Sequence, residues 1–199
     1  MRRLASIAAL CTTAIIAAGC ASPTTHFYTL SATALPAGAP ASRPSGLSVI
    51  VGPVSIPVLL DQPQIVLSTG PNQVSFDEFN RWATPLAADI SRVLALDLME
   101  ELGTPRVSLA LQSLNADADY RVAIDVQGFD STLGQAVALN AAWTVRRTRD
   151  GKTQTGRTTV HEPANGSGFD ALAGAHSRAL ARLGQDVAGA IRVLQDGIP

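Results

Sequence analysis

The clearest pattern in the chain is an alternation of apolar and polar residues in its second half, typical of strands with one buried face. Apolar residues occupy every second position of residues 119–129, and a similar alternation runs through residues 136–147. Asp150-Gly151 then favours a two-residue hairpin turn. Residues 153–160 form a return strand with few apolar residues, as expected at a sheet edge. The sequence therefore predicts a three-strand antiparallel meander.

Two other stretches repeat apolar residues every three or four positions, the spacing of an amphipathic helix. The first begins at Thr84 and Pro85 and ends at Gly103. The second begins with a capping-box-like start at Ser167 and ends at Gly197. Each apolar stripe needs a sheet face to cover it. We therefore predict an α+β fold, a single domain in which two long helices pack on a mixed or antiparallel sheet containing the meander.

The first part of the chain favours short strands interrupted by proline. Residues 26–30, 47–54 and 64–69 are candidate strands. Because Pro53 and Pro57 cannot donate to a ladder, the next segment is expected at a sheet edge or bent out of the sheet. It offers backbone for strand addition by another chain, and its candidate edge or oligomer residues are Ser55, Ile56, Pro57 and Leu60.

Residues 1–19 have the layout of a secretory signal peptide, with a basic start, an apolar run and small residues before the cut. The apolar run is too short to span about 30 Å of hydrocarbon. Its Ala-Ala-Gly-Cys ending resembles the lipobox of bacterial lipoproteins, in which the cysteine receives diacylglyceryl and N-acyl chains such as palmitate. We predict this lipid on Cys20 and a mature domain of residues 20–199. An ordinary signal peptide with an incidental cysteine, or a membrane anchor, is the alternative.

Several broad classes of function are disfavoured by composition. The chain has 15 basic and 16 acidic residues. Removal of the leader takes away Arg2 and Arg3, and no basic stripe remains for nucleic acid. The two cysteines are Cys11, lost with the leader, and Cys20, so no disulfide is expected. No catalytic motif and no metal-ligand spacing is recognisable, and we predict neither an enzyme nor a cofactor beyond the lipid. Residues 31–46 are rich in proline and alanine and are predicted to form a loop.

An aromatic cluster before the first helix is the candidate partner interface. Its residues are Phe76, Phe79, Arg81 and Trp82. Aromatic side chains and arginine are common anchors of protein interfaces. The alternative is a loop held against the core, with Arg81 stacked on Trp82 or paired with Glu78.

Three series of residues together resemble the PqiC family of auxiliary lipoproteins in ABC-type transport systems. They are Tyr28-Thr29-Leu30, the Pro-punctuated run from Val51 to Val66, and the aromatic run from Asn72 to Leu86. The similarity continues into the strand that begins at Asp119-Tyr120. The Pro-rich residues 31–46 carry no recognisable family motif.

The resemblance implies an outer-membrane lipoprotein that faces the periplasm and supports lipid transport between membranes and envelope integrity. Its partner would be a PqiB-like protein with mammalian-cell-entry (MCE) domains, which forms a tube between the membranes. The lipoprotein would dock the distal end of that tube, and a homo-oligomeric ring of the lipoprotein is compatible with this role. Ala21 after the cysteine, rather than aspartate, favours the outer over the inner membrane by the enterobacterial sorting rule. The alternatives are a pilot lipoprotein for another outer-membrane machine and an envelope hydrolase.

Overall fold

Two β-sheets and two long helices form the part of the chain that the structure, a computed structural model, describes: residues 23–33, 46–110 and 117–197. The predicted α+β class is confirmed. The strands are β1 His26–Tyr28, β2 Val49–Ser55, β3 Gln64–Gly70, β4 Gln73–Trp82, β5 Val107–Leu109, β6 Tyr120–Thr132, β7 Ala136–Arg147 and β8 Thr153–Pro163. The helices are α1 Leu86–Leu102 and α2 Phe169–Asp196, and a 3-10 turn spans Val58–Leu60.

The larger sheet contains five strands in the order β5-β2-β6-β7-β8. The predicted meander is present, since β6, β7 and β8 pair antiparallel in sequence order. The short strand β5 and the first half of β2 add parallel pairing at the other edge. Local alternation did not predict β5, because three residues carry too little pattern. The sheet is therefore mixed, and among the described strands β8 lies at one edge.

Both helices cover one face of the larger sheet and enclose the core. The inward residues of β6 and β7 are buried against α1 and α2, among them Val122, Ile124 and Leu139. Both helices end where predicted, at glycines with left-handed backbone, Gly103 and Gly197. The helix starts differ from the prediction, because Pro85 and Gly168 take the N-cap positions and neither start has a side-chain cap hydrogen bond.

The smaller sheet has the order β1-β4-β3 and includes the aromatic run that precedes α1. Residues 73–82 form an antiparallel partner of β3, and β1 joins the other side of β4 in parallel. The alternative of a loop is therefore wrong, because the run is a strand, whereas the alternative's Arg81–Glu78 pair is present and Trp82 is held in the core. Strand β4 was missed because its polar, charged and aromatic residues do not alternate cleanly.

A short arm after β1 fastens the start of the described chain to both helices. The buried Leu30 backbone N–H donates to Asp89 Oδ2 at 2.7 Å, and its carbonyl accepts from Arg92 Nη2 at 2.6 Å. Further along, Ser31 N donates to Ser177 Oγ at 3.1 Å and Thr33 N to Asp97 Oδ1 at 3.1 Å. The arm is thus held by backbone hydrogen bonds to side chains of α1 and α2.

Cys20 and the signal peptide lie outside the described residues, and so does most of the predicted loop at residues 31–46. Within the described ranges, no helix is long and apolar enough to cross a membrane. The lipid attachment and the cleavage before Cys20 stay predictions.

Candidate functional site

The outer face of the smaller sheet carries a cluster of exposed apolar side chains, and strand pairing explains how they meet. Directly opposed residues share a face of a sheet. The register opposes Phe27 to Arg81 across β1 and β4, and Phe76 to Val66 across β4 and β3. Val74 lies two residues from Phe76 on the same face, opposite Ser68. Residues of β1 and β4 thereby share one face of the sheet, on which the opposed β3 residue Val66 is itself only 7% exposed.

Exposure identifies the members of this surface that face solvent. Phe27 is 65% exposed, Phe79 and Val74 44%, and Phe76 42%. We call these four residues the outer apolar face. Phe27 and Val74 were not among the predicted interface residues. Phe27 meets β4 through a non-local parallel pairing, and Val74 lies in the predicted run but is not aromatic. The sequence offered one signal for Phe27: it lies in a candidate strand next to Tyr28, and neighbouring strand residues point to opposite faces, so an inward Tyr28 places Phe27 outward.

Phe79 lies in a bulge of β4. The register of β3 against β4 shifts between the Gln64–Arg81 and Val66–Phe76 pairs. Asp77 Oδ1 accepts hydrogen bonds from the backbone N–H of Phe79 at 3.0 Å and of Asn80 at 2.8 Å. These bonds satisfy backbone groups that the interrupted ladder leaves without strand partners. The bulge is therefore held by one carboxylate, and it returns β4 to regular pairing before Arg81.

The four residues predicted as one interface divide between two environments. Trp82 is only 7% exposed and makes an edge-on contact with the His176 ring, at a centroid distance of 5.3 Å. Arg81 pairs with Glu78 through Nη2 and Oε2 at 3.4 Å. Phe76 and Phe79 lie on the outer apolar face with Arg81, whereas Trp82 belongs to the core.

His176 occupies the centre of the contact between α2, Trp82 and the larger sheet. Its ring lies 4.5 Å from that of Phe129 by centroids, and Nε2 lies 3.0 Å from Ser131 Oγ. Its Nδ1 lies 2.9 Å from the Leu172 carbonyl, so a neutral ring can donate there and accept from the serine. Burial lowers the pKa of His176 to about 4. A neutral, fully buried histidine with these partners has a packing role.

The residues of the predicted edge segment, 55–60, also lie in two different environments. Ser55 ends β2 and donates from Oγ to Asp125 Oδ1 at 2.6 Å. The chain then leaves the sheet, Ile56 packs against the core, and Leu60 is 9% exposed at the end of the 3-10 turn. Val58 in that turn is 92% exposed and Leu59 44%. Residues 56–60 thus form a turn with a buried end and an apolar tip, and they offer no strand ladder.

A cavity of about 520 Å³ opens at one end of the larger sheet, where β6 begins and β7 ends. Asp119 lies in its wall, and hydrogen bonds from the Ser48 hydroxyl and backbone N–H lower the pKa of this carboxyl. Arg147, also in the wall, pairs with Asp150 at 2.6 Å. These polar groups tie strands and turns together. Across residues 23–33, 46–110 and 117–197, no cluster of three metal-ligating side chains occurs.

The fold and the exposed surface define an α+β domain whose smaller sheet carries four exposed apolar side chains. The sequence matches the family of ABC-type transport auxiliary lipoprotein components over residues 28–188. The chain belongs to this family, and the PqiC-like resemblance is confirmed. The family consists of transport components and is not a known enzyme family.

Solved structures support the same fold. A Xanthomonas campestris protein of family DUF330 superimposes with a TM-score of 0.68 at 20% identity, covering 89% of this chain and 100% of that one. An uncharacterised protein gives a TM-score of 0.67 at 21% identity, covering 85% of this chain and 99% of the other. No curated protein matches the chain significantly.

Proposed function

We propose that the protein is an outer-membrane-anchored subunit of an MCE/ABC-type lipid transport system. It would dock the periplasm-spanning, PqiB-like MCE partner and so support lipid transport between the two membranes and envelope integrity. Membership of the auxiliary lipoprotein family over residues 28–188 carries this proposal. The family description supplies the transport association, and the lipobox-like sequence at Cys20 supplies the membrane anchor.

The described structure has an exposed strand edge, that of β8, which suits a docking role. Strand β8 pairs with β7 from Thr153 to Pro163, and no other strand of the described residues pairs with its far edge. An edge of this length can accept a strand from a partner chain. On the outer face of the larger sheet, Thr155 and Arg157 of this strand are exposed beside partly exposed small residues of β7 such as Ala142. A strand added beside β8 would therefore lie next to a face of mostly small and polar residues, with Arg157 available to pair with it.

Affinity purification tests the proposal. A C-terminally tagged chain, extracted from envelopes in mild detergent after crosslinking, should bring down a protein with MCE domains, identified by mass spectrometry. A Cys20→Ser variant is the matched control, because it keeps the folded domain and removes the lipid. Recovery of a secretin or another outer-membrane machine in place of an MCE protein would favour the pilot function. Purification without either partner would contradict the proposal.

A further inference from the structure

The outer apolar face consists of Phe27, Val74, Phe76 and Phe79, and no described residue covers it. The short distance in sequence between Phe27 and Cys20 indicates what does cover it. Six residues, 21–26, lie between Cys20 and Phe27, so the two are seven residue steps apart. A fully extended chain advances at most about 3.5 Å per residue, so Phe27 lies within about 25 Å of the lipidated cysteine. This covalent limit holds for any conformation of the intervening residues. Phe27 therefore stays within about 25 Å of the lipidated cysteine, and the other members of the outer apolar face lie on the neighbouring strand β4.

The folded domain begins at β1, which is held firmly in place, so the short segment between Cys20 and β1 constrains the orientation of the domain. Strand β1 pairs with β4 from His26 to Tyr28. Just beyond it, Leu30 is 1% exposed, and Asp89 and Arg92 hold its backbone. The chain cannot lengthen the tether by releasing this segment without breaking these bonds and exposing Leu30. The smaller sheet is thus the end of the domain nearest the membrane.

The chemistry of this surface suits the boundary between headgroups and acyl chains. Three phenylalanine rings and one valine project from neighbouring strands, and 42–65% of each residue is exposed. Arg81 beside them is paired with Glu78, and the carboxylate of Asp77 accepts only backbone and amide hydrogen bonds, so this stretch carries one formal negative charge in excess. By contrast, the outer face of the larger sheet carries small and polar residues, among them Thr144, Thr155 and Arg157. Apolar surface of this kind at a tether point is what interfacial proteins insert.

We propose that the outer apolar face inserts into the surface of the bilayer that holds the Cys20 lipid. This inference rests on the lipid attachment contained in the proposed function. It assigns Phe76 and Phe79 to the membrane, in place of the protein partner predicted from the sequence. The domain then contacts the membrane through its smaller sheet, and the β8 edge of the larger sheet is available to proteins in the periplasm.

Fluorescence quenching tests the orientation on the full lipidated protein. Because Cys20 carries the lipid and no other cysteine remains after leader removal, a single introduced cysteine can be labelled uniquely. An environment-sensitive dye is placed by Phe27→Cys, Phe76→Cys or Phe79→Cys. Thr155→Cys, exposed on the outer face of the larger sheet, is the matched control. The proteins are reconstituted into phosphatidylethanolamine–phosphatidylglycerol vesicles with or without nitroxide-labelled lipid.

Nitroxide lipid should quench the dye at positions 27, 76 and 79 about threefold more strongly than at position 155, with a blue-shifted emission, as expected for side chains 5–10 Å into the interface. Equal quenching by aqueous iodide at all four positions would overturn the proposal. A blue shift without nitroxide quenching would overturn it in favour of a second copy or another protein.

Separate readouts distinguish this inference from the proposed function. Flotation of the unlabelled protein with vesicles reports the lipid, and capture of an MCE protein reports the transport role. A chain that floats and captures its partner while its phenylalanines remain in water would refute the membrane contact alone. A chain that does not float would refute the lipid attachment and the membrane contact together.

Discussion

Gly156 shows how a single residue depends on the side chain opposite it. The register pairs Gly156 of β8 with Trp143 of β7. A Cβ at Gly156 would lie 2.2 Å from the Trp143 Cζ2 atom and 2.5 Å from Cη2. The indole is itself held by a hydrogen bond from Nε1 to Thr158 Oγ1 at 3.1 Å, and Thr158 donates to Asp186 of α2 at 2.5 Å. The ring cannot move aside without breaking this chain.

We therefore expect Gly156→Ala to destabilise the domain by about 1–3 kcal/mol, as overpacking does. Urea unfolding would measure the change. Gly174→Ala is the matched control, because its Cβ would meet only Arg178 Nη1 at 3.5 Å, and alanine is favoured over glycine within a helix. If the Trp143→Leu background does not reduce the cost of Gly156→Ala, the steric explanation is wrong.

Two buried ionisable residues, His176 and Asp97, should act in opposite directions on stability as the pH falls. Burial lowers the pKa of His176 from 6.5 to about 4. The unfolded chain then binds the proton first, and stability is lost between about pH 6.5 and 4. Burial raises the pKa of Asp97 from 3.8 to about 6. Here the folded chain binds the proton first, and stability is gained over nearly the same interval.

Asp97→Asn should remove the gain and leave the His176 effect. We expect the free energy of unfolding of this variant to fall more steeply than that of the native protein between pH 6.5 and 4. Urea unfolding at several pH values would measure the slopes, with the exposed Asp61→Asn as control. Parallel curves for the native and Asp97→Asn proteins would show that Asp97 does not titrate in this interval.

At the scale of elements, the arm after β1 depends on one helix residue. Asp89, 4% exposed, accepts from Leu30 N and from Thr29 Oγ1, and it pairs with Arg92, which donates to the Leu30 carbonyl. Asp89→Ala leaves the buried Leu30 N–H without its acceptor. Loss of such a charged hydrogen bond costs about 2 kcal/mol.

Hydrogen exchange provides the measurement for the arm. The Leu30 amide should exchange markedly faster in Asp89→Ala, whereas the amides of the β6–β7 ladder should change less. Asp61→Ala, exposed, is the control. Unchanged exchange at Leu30 would mean that β1 pairing and Leu30 burial hold the arm without Asp89.

The 3-10 turn offers a separate test of self-assembly, which the sequence predicted for residues 55–60. Its tip, Val58 and Leu59, is exposed, whereas Leu60 is buried. If the tip joins copies of the chain, Val58→Ser with Leu59→Ser should reduce the mass measured by light scattering while the melting temperature stays nearly constant. Leu60→Ala should instead lower the melting temperature, because it opens a cavity. Unchanged assembly in the double variant would exclude the tip as an oligomer contact.

At the scale of the whole molecule, the predicted lipid on Cys20 would determine where the domain is located. We expect Cys20→Ser to move the protein from the membrane fraction to the soluble fraction of the envelope, because the thioether to diacylglyceryl can no longer form. Fractionation and intact-mass analysis would measure both consequences. A variant that stays in the outer membrane would show that apolar contacts or a partner suffice for attachment.

The sequence by itself determined the elements whose pattern is local. The β6–β7–β8 meander followed from alternation and from the Asp150-Gly151 turn, and both helices followed from their apolar stripes and terminal glycines. The family could likewise be inferred from motif order, since that information is linear. Periodicity is a property of neighbours in the chain, so one sequence suffices to reveal it.

Only the tertiary structure decided what the aromatic run does. Phe76, Phe79 and Trp82 looked equivalent in the sequence, yet Trp82 is buried against His176 and the two phenylalanines are exposed. The bulge fixed by Asp77 and the non-local pairing of Phe27 with Arg81 produce this division. Which side of a strand meets the core depends on its pairing register and on the elements packed against it, and local pattern does not specify these when residues distant in the chain supply them.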